Sequence, residues 1–514
     1  MPRNPARARN RTAGGRGLWV ACRCAERGSG WRSRVALGGA LLDPTQIPHR
    51  EDERPGFFVR PVPPAGEVPS CYLAPVPEER PHVVIVGAGF GGLRAARALR
   101  RTPVRVTLVD RRNYHLFQPL LYQVATAGLS PEDIAHPVRA IFRRQRNFAF
   151  RLAEVTGVDL PGRVLETSAG RLPYDWLILA PGGASHFFGL ESVEQNGLPL
   201  KEIEDAVAIR NQVLRMFETA VQEPDPDRRR GMLNFVVVGG GPTGVESAGA
   251  LSELIRLVLT KDFPKLNVKD VRVILLEATD RLLGAMPERL REVTAEILWR
   301  KHVEVRFGAQ VTRFDGERVV LRGEEVIPAR TLIWAAGVRA APLAALLGAE
   351  LGPQGRVRVG PGLQLPASDR VFVIGDAAWL EDERGEGLPM MAPVAQQQAD
   401  HAARSIQRAL RGEPTLPFRY KNPGSMATIG RNAAVVHVRG LQVSGFFAWV
   451  AWLVLHIVLL IGFRNRLLVL INWAWDYFLY DRAVRLIYAH EIHTAPAETR
   501  RAQHDAAEAE RRAG

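Results

Sequence analysis

The chain has 514 residues and a formal net charge of +14. Its apolar fraction of 46% and charged fraction of 24% are ordinary for globular proteins and exclude wholesale disorder or a fibrous architecture. Three cysteines in so long a chain exclude a disulfide scaffold and argue against a structural zinc site.

The positive charge is concentrated in two windows. Residues 1–50 hold ten arginines against two acidic residues, and residues 401–440 hold seven basic residues against one. These windows account for the whole net charge, so the remainder of the chain is formally neutral. Because no nucleic-acid recognition motif accompanies either window, the sequence predicts no nucleic-acid partner.

Residues 1–80 are rich in Arg, Gly and Pro. They are interpreted as a disordered extension or a wrongly assigned start of the chain. A transit peptide, a weak signal sequence around residues 35–42 and a nucleic-acid arm are the alternatives. All three cysteines, Cys22, Cys24 and Cys71, fall in this segment.

The first predicted dinucleotide site begins at the short apolar strand 82–86. The strand runs directly into a GxGxxG pattern made by Gly87, Gly89 and Gly92, and a helical pattern follows. The first glycine permits a tight turn, the second lets the backbone approach a pyrophosphate, and the third permits close packing of helix and strand. The next strand ends at Asp110, a carboxylate that can bind a ribose hydroxyl.

The same pattern recurs further along the chain. The strand 235–238 leads into Gly239, Gly241 and Gly244, and the following strand ends at Glu277. A carboxylate at this position would repel a 2′-phosphate, so NADH is predicted in preference to NADPH.

Two such fingerprints predict two bound dinucleotides, FAD at the first and NADH at the second. The chemistry expected from that pair is hydride transfer between nicotinamide and flavin, with the protein supplying position and electrostatics. The predicted fold is α/β, with two Rossmann-like dinucleotide-binding domains. No Ser/His/Asp arrangement, metal-ligand cluster or catalytic carboxylate pair in the sequence indicates a competing chemistry.

Further motifs carry a family resemblance. They are the segments 113–125, 174–182, 334–338, 371–376 and 388–398. With the two fingerprints, they make the chain similar to the type II NADH dehydrogenases, single-subunit flavoproteins that reduce quinone without pumping protons. The resemblance runs from about residue 83 to about residue 487. It implies further cofactor contacts at Val155, Gly182, Gly337, Gly375, Asp376, Ala392 and Ala395.

The resemblance also implies three catalytic residues. Gln397 and Gln398 belong to a glutamine motif that opens a helix beside the flavin and lines the quinone site in the family. Glu246 matches a glutamate near the contact of nicotinamide and flavin, where it would relay protons or orient NADH. The alternatives are a solvated helix start for the glutamines and a carboxylate that complements the helix dipole for Glu246.

The position of the cysteines excludes two related classes of enzyme. Disulfide reductases and sulfide:quinone oxidoreductases need cysteines near the flavin, and this chain has none after Cys71. Two other functions stay open at this point. One is an NAD(P)H-dependent reductase that passes electrons to a soluble or protein acceptor, and the other is a flavin- and NADH-binding redox sensor without turnover.

The C-terminal part of the chain is predicted to bind a membrane. Two apolar segments, 446–463 and 467–480, would form helices of about 27 Å and about 21 Å, against a hydrocarbon core of about 30 Å. Asn472 and Asp476 would give the second helix a polar side, and His456 is interpreted as a hydrogen-bonded polar group. A pair of helices lying in one leaflet is therefore favoured over a spanning hairpin.

These expectations combine into one description. The FAD domain would comprise residues 81–200 and 330–420, with the NADH domain 201–329 inserted, followed by a membrane-association domain at 421–490 and a disordered tail at 491–514. The protein is expected to oxidise NADH, reduce a membrane quinone, and attach as a peripheral protein to the cytoplasmic side of the cell inner membrane. The sequence leaves open whether it forms a homodimer.

Overall fold

The computed structural model describes residues 80–383, 385–479 and 484–488. The interpretation of residues 1–80 therefore lies almost entirely outside the described residues, as do the three cysteines and the predicted tail from residue 491.

The first sheet contains the first fingerprint. Its strands are, in spatial order, Gln364–Leu365, Ser368–Val373, Trp176–Leu179, His82–Val86, Arg105–Asp110 and Phe148–Leu152. All neighbours pair in parallel except the first two, which are antiparallel. Because helices and connecting segments cover both faces, the strands read as continuous apolar runs. The sheet thus joins strands that lie almost 200 residues apart in the sequence.

A second parallel sheet contains the second fingerprint. Its order is Leu198–Pro199, Thr331–Trp334, Asn234–Val238, Arg272–Leu276 and Val303–Arg306. An antiparallel ribbon of Gly183–Ser185 and Val338–Ala340 pairs the two segments that follow the strands 176–179 and 331–334. The fold therefore has the predicted α/β class with two Rossmann-like sheets.

The main helices flank these sheets. The two fingerprint helices are Phe90–Ala98 and Pro242–Glu253, and the latter continues through a π-helical turn at Leu254–Leu259 to Asp262. The helix Ala392–Ala409, here called the glutamine helix, packs along Phe90–Ala98. The other long helices are Ile203–Ala220, Pro226–Leu233 and Glu288–Arg300.

The C-terminal domain begins with an antiparallel sheet of Ser425–Thr428, Ala434–Val438 and Leu441–Gly445. Two helices follow, Phe446–Leu459 and Phe463–Leu479, here called the first and second C-terminal helices. Within the described ranges, no helix combines the length and apolar character needed to cross a membrane.

The prediction that the first apolar segment is helical as far as Phe463 is wrong. The helix ends at Leu459 because Leu460 adopts an extended conformation and Gly462 has a φ of +92°. The Arg466 side chain then donates hydrogen bonds to the carbonyl groups of Leu460 and Val458, both at 2.7 Å. These carbonyls have no partner within the ended helix, so the arginine stabilises the break.

Candidate active site

The first glycine loop leaves room where a pyrophosphate would lie. A Cβ atom on Gly87 would stand 2.1 Å from the carbonyl oxygen of Ala180, and one on Gly92 would stand 1.8 Å from that of Gly87. A Cβ on Gly89 would meet nothing within 4 Å. The outer two glycines are thus required by the packing of the protein, and the middle one faces open space beside a helix N-terminus. This arrangement fits a dinucleotide.

The second glycine loop repeats this construction. A Cβ on Gly239 would lie 2.9 Å from backbone atoms of Ala335, and one on Gly244 would lie 1.8 Å from the carbonyl oxygen of Gly239. The position at Gly241 is again open to 4 Å. The protein therefore has two sites of one design.

Asp110 and Glu277, the carboxylates at the ends of the two strands, hold the glycine loops in place through hydrogen bonds. Asp110 accepts hydrogen bonds from the amides of Ala88 (2.6 Å) and Arg112 (2.7 Å). Glu277 accepts from the amides of Gly240 (2.5 Å) and Thr279 (2.7 Å). Each carboxylate has further lone pairs that remain for a ribose hydroxyl. Sequence reasoning assigned these acids to the ribose alone and did not predict that they also fix the glycine loops.

His115 is a further brace that sequence reasoning missed. Its ring is buried, and Nδ1 lies 2.9 Å from the carbonyl oxygen of Ala88, between the first two glycines of the fingerprint. Burial lowers the pKa of His115 to about 4, so the imidazole is neutral at physiological pH. Its position in the segment 113–125 was the available signal.

Gly182, Gly337 and Val155 lie on the segments around the ribbon and the first sheet. Gly182 and Gly337 have φ angles of +75° and +78°, and each directly precedes a strand of the ribbon. Val155 is buried in the hydrophobic cluster under the first sheet. The structure places Gly337 against the ring of Phe188, whose atoms come within 2.6 Å of a Cβ built on that glycine.

The glutamine helix begins next to Gly375 and Asp376. Gln398 is fully buried, and its Oε1 accepts a 2.6 Å hydrogen bond from the amide of Gly375. A Cβ on Gly375 would lie 3.2 Å from the Cβ of Ala395, so the loop and the helix are in close contact. Lys201 Nζ lies 3.6 Å from a carboxylate oxygen of Asp376. Ala392 occupies the first position of the helix. This end of the helix has amide groups without partners in the helix, and it carries the positive end of the helix dipole.

The three adjacent glutamines have three different environments. Gln398 holds Gly375, as described above. Gln397 forms two hydrogen bonds with the backbone of Lys421, donating from Nε2 to the carbonyl (2.8 Å) and accepting at Oε1 from the amide (3.0 Å). Among the residues that the structure describes, Gln396 has no side-chain hydrogen bond, although sequence reasoning named only the other two. Its amide is half-buried and can meet a ligand, and the buried Nε2 of Gln398 is a second donor without a partner among the described residues.

Glu246 joins three parts of the protein. It lies in the first turn of the second fingerprint helix; the residue as a whole is partly exposed, but its carboxyl group is buried. Its Oε1 accepts a 3.3 Å hydrogen bond from the amide of Thr428 in the C-terminal sheet. The indole of Trp452, on the first C-terminal helix, also hydrogen-bonds to it. Burial raises the pKa of Glu246 to about 8, although both hydrogen bonds oppose that shift. The carboxyl group is consequently protonated at neutral pH.

His456 is a hydrogen-bonded polar group, as expected. Its Nδ1 lies 2.7 Å from the carbonyl oxygen of Trp452, and its ring stacks on the indole at 3.9 Å between centroids. Burial lowers the pKa of His456 to about 4. Over the described part of the chain, no group of three or more His, Cys, Asp or Glu side chains is placed to hold a metal ion.

The C-terminal helices turn several polar residues toward the rest of the protein. Asn465 donates to the backbone carbonyls of residues 132, 133 and 135, at 3.1 to 3.3 Å. Asn472 donates to the Asp133 carboxylate (3.1 Å), and the indole of Trp473 donates to Gln123 (2.7 Å). A cavity of about 110 Å³ lies between these helices, the segment 122–128 and the second fingerprint helix, and it is lined by aromatic rings that include Trp449 and Tyr477.

The outward surface of the same helices is apolar. Phe447 and Phe463 are 78% and 82% exposed, and further exposed side chains follow at helical spacing. We call this surface the apolar face; its members include Phe447, Val454, Val458, Phe463, Ile471 and Phe478. An exposed contiguous patch of this kind marks an interaction with a membrane or with another protein.

The sequence matches two families. Residues 81–399 match the pyridine nucleotide-disulphide oxidoreductase family, and residues 423–482 match the NDH2 C-terminal domain. A type II NADH:quinone oxidoreductase of Mycobacterium tuberculosis, NdhA, is 38% identical over 460 residues, which cover 84% of this chain and 97% of NdhA. A second one from that organism, Ndh, is 40% identical over 412 residues, covering 77% and 88% of the two chains.

Solved structures have the same fold. NDH2 from Plasmodium falciparum in complex with NADH has a TM-score of 0.73 at 19% identity, covering 80% of this chain and 100% of that one. The sulfide:quinone oxidoreductase of Aquifex aeolicus has a TM-score of 0.61 at 20% identity, covering 78% and 96%. At these identities, the likeness establishes the architecture only.

Proposed function

This chain belongs to the pyridine nucleotide-disulphide oxidoreductase family and, within it, to the type II NADH:quinone oxidoreductases, and on that basis we propose that it oxidises NADH through bound FAD and reduces a membrane quinone without pumping protons. The observation that carries this proposal is the pair of glycine loops. Each has the same open middle position and the same bracing carboxylate, so the protein is built to hold two dinucleotides.

The roles of the two loops follow from the family. We assign FAD to the loop of Gly87 with Asp110, and NADH to the loop of Gly239 with Glu277. When bound, FAD accepts a hydride from NADH and passes two electrons to the quinone. The chain contributes the geometry: the loops fix the two pyrophosphates, and the carboxylate of Glu277 favours a ribose hydroxyl over a 2′-phosphate.

We assign the quinone to the start of the glutamine helix. The uncharged amide of Gln396 can hydrogen-bond a quinone carbonyl without adding net charge to an apolar site. Gln398 acts as a positioning residue, since its oxygen holds the amide of Gly375. Gln397 is anchored to the backbone of Lys421 and keeps the helix start in place.

Quinol formation also requires a proton source. NADH supplies two electrons and one proton as hydride, so the overall reaction takes up one further proton from the medium. Glu246 is protonated at neutral pH and contacts the first C-terminal helix through Trp452. We therefore assign to it the relay of a proton toward the quinone rather than the orientation of NADH.

Stopped-flow absorbance on the detergent-purified protein tests this function. NADH should bleach the flavin band, and a short-chain quinone should restore it. Failure of either step contradicts the proposal, and faster bleaching by NADPH contradicts the role of Glu277. Reoxidation by a soluble electron carrier but not by quinone would instead favour a reductase for a soluble acceptor.

We further propose that the apolar face rests in one leaflet, on the cytoplasmic side of the membrane. Placing three aspartates on it, as in Phe447→Asp/Val454→Asp/Phe463→Asp, should move the protein from the membrane fraction to the soluble fraction. Since burying each of these side chains in lipid contributes about 2 kcal/mol, binding to vesicles should weaken at least about 100-fold. Flotation with phosphatidylcholine vesicles measures the change.

The matched control places the same three aspartates on exposed apolar residues elsewhere. Trp299→Asp/Phe307→Asp/Leu346→Asp changes the charge equally on surfaces remote in sequence from the C-terminal helices. This variant should stay with the vesicles. Equal release of both variants would show that the apolar face does not hold the protein at the membrane.

A further inference from the structure

A basic groove lies along the glutamine helix. Gln397 and Lys421 are among its lining residues, and its other residues belong to none of the sites assigned above. It has a volume of about 630 Å³, and its walls are the glutamine helix and the segment 416–421 that follows it. The groove contains five basic side chains: Arg404, Arg408, Arg411, Arg419 and Lys421.

Only part of this positive charge is neutralised. Glu413 pairs with Arg408 (3.0 Å) and with Arg411 (2.7 Å). Asp400 is already held by Arg94, through two hydrogen bonds of 2.7 and 2.8 Å. Arg404, Arg419 and Lys421 have no acidic partner among the described residues, and all three are exposed. The groove thus presents three uncompensated cations around one concave surface.

A buried polar atom also points to a ligand. His401 lines the groove and is only 7% exposed, and its Nε2 has no hydrogen-bond partner in the described part of the chain. The ring packs edge-on against Phe418 at 5.5 Å. A buried nitrogen without a partner costs free energy. Burial and the charge of Arg404 lower the pKa of His401, whereas a hydrogen bond to the backbone of Leu416 opposes that shift. An anionic oxygen in the groove would likewise favour the imidazolium form, in which Nε2 donates a hydrogen bond.

We propose that this groove binds the phosphate group of an anionic phospholipid. The proposal rests on the assigned membrane attachment, because a headgroup is available only to a protein at the leaflet surface. Three cations suit a phosphate with neighbouring negative charge. Leu416, 51% exposed beside them, adds an apolar contact that an inorganic anion would not use. The chain also passes from Lys421 into the C-terminal sheet within four residues, so the groove adjoins the domain that carries the apolar face.

The test uses the full chain with bound flavin and the double variant Arg404→Gln/Arg419→Gln. Among the described residues, neither arginine forms a hydrogen bond or an ion pair with an assigned dinucleotide or quinone residue. Affinity for vesicles containing phosphatidylglycerol should fall about 25-fold, from about fivefold for each basic charge near an anionic leaflet. Affinity for pure phosphatidylcholine vesicles should not change. The matched control, Arg313→Gln/Arg322→Gln, removes two exposed arginines from the NADH domain and should leave both affinities unchanged.

Three results would overturn the proposal. An equal loss in the control variant would show that total charge, and not the groove, governs binding. Competition by millimolar inorganic phosphate in the wild type would identify a site for free phosphate. An unchanged affinity of the groove variant would show that headgroups do not bind there. Loss of phosphatidylcholine binding by the wild type itself would instead contradict the membrane attachment, so the two failures are distinguishable.

Discussion

Gly239→Ala should strongly slow reduction of the flavin by NADH while leaving the flavin bound. The φ of +112° at this position is unfavourable for any residue with a Cβ, and the added atom would stand 2.9 Å from the backbone of Ala335. Strain of this kind costs about 1 to 3 kcal/mol, before the displacement of the loop that would carry NADH is counted. We expect the rate of bleaching at low NADH to fall at least about 100-fold, measured by stopped flow.

Two comparison variants locate the defect. Gly87→Ala introduces the same kind of steric clash in the first loop, where the Cβ would lie 2.1 Å from the oxygen of Ala180. This variant should yield protein without flavin. Gly241→Ala meets no protein atom within 4 Å, so its thermal stability should match that of the wild type while its KM for NADH rises. If Gly239→Ala loses flavin as well, the assignment of the two loops to two different cofactors is wrong.

Local spacing explains why so much of the site could be predicted. The strand His82–Val86, the glycine turn and the helix from Phe90 are contiguous in sequence, and the requirement for glycine at Gly87 arises from the backbone itself. The same holds for the second fingerprint. The helix after the second fingerprint is longer than the first, because a π-helical turn at Leu254–Leu259 extends it without ending it.

Contacts between distant segments could not be predicted. Glu246 meets Thr428 and Trp452, which are about 180 and 200 residues away, and no local pattern encodes that meeting. The hydrogen bond from Gly375 to Gln398 is likewise a product of how the helix packs on the loop. Adjacent glutamines look alike in sequence, and only this packing separates their roles.

The end of the first C-terminal helix shows a different limit. Residues 446–463 form an apolar run in which hydrophobicity gives no signal for a break. Gly462 was the available sign, since its positive φ permits the chain to reverse before Phe463. The Arg466 side chain donates hydrogen bonds to two carbonyl groups that would otherwise have no partner in an apolar environment.

Glu246→Gln should lower the rate of quinone reduction and remove the fall in that rate at alkaline pH. In the wild type, the rate of flavin reoxidation by quinone should fall as the pH rises through about 8, because Glu246 then loses the proton that it is assigned to relay. An amide cannot donate that proton, so the rate of the variant should be about 100-fold lower at pH 7 and independent of pH in this range. Bleaching by NADH should be unaffected. A loss confined to bleaching would mean that Glu246 orients NADH instead.

Thermal stability gives a second, independent readout of the same residue. In the folded protein the pKa of Glu246 is about 8, against the ordinary 4.5. The free energy of unfolding therefore falls as the pH rises from about 4.5 to about 8, and the loss stays constant above that. The Glu246→Gln variant escapes this loss. Its melting temperature should equal that of the wild type near pH 4 and exceed it most above pH 8, where the difference in the free energy of unfolding should be on the order of 5 kcal/mol. As a control, Glu292→Gln removes an equal charge from an exposed side chain, and its melting temperature should equal that of the wild type at every pH.

A difference in melting temperature between Glu246→Gln and the wild type that does not change with pH would show that the carboxyl group is ionised at neutral pH. The proton relay would then have no donor.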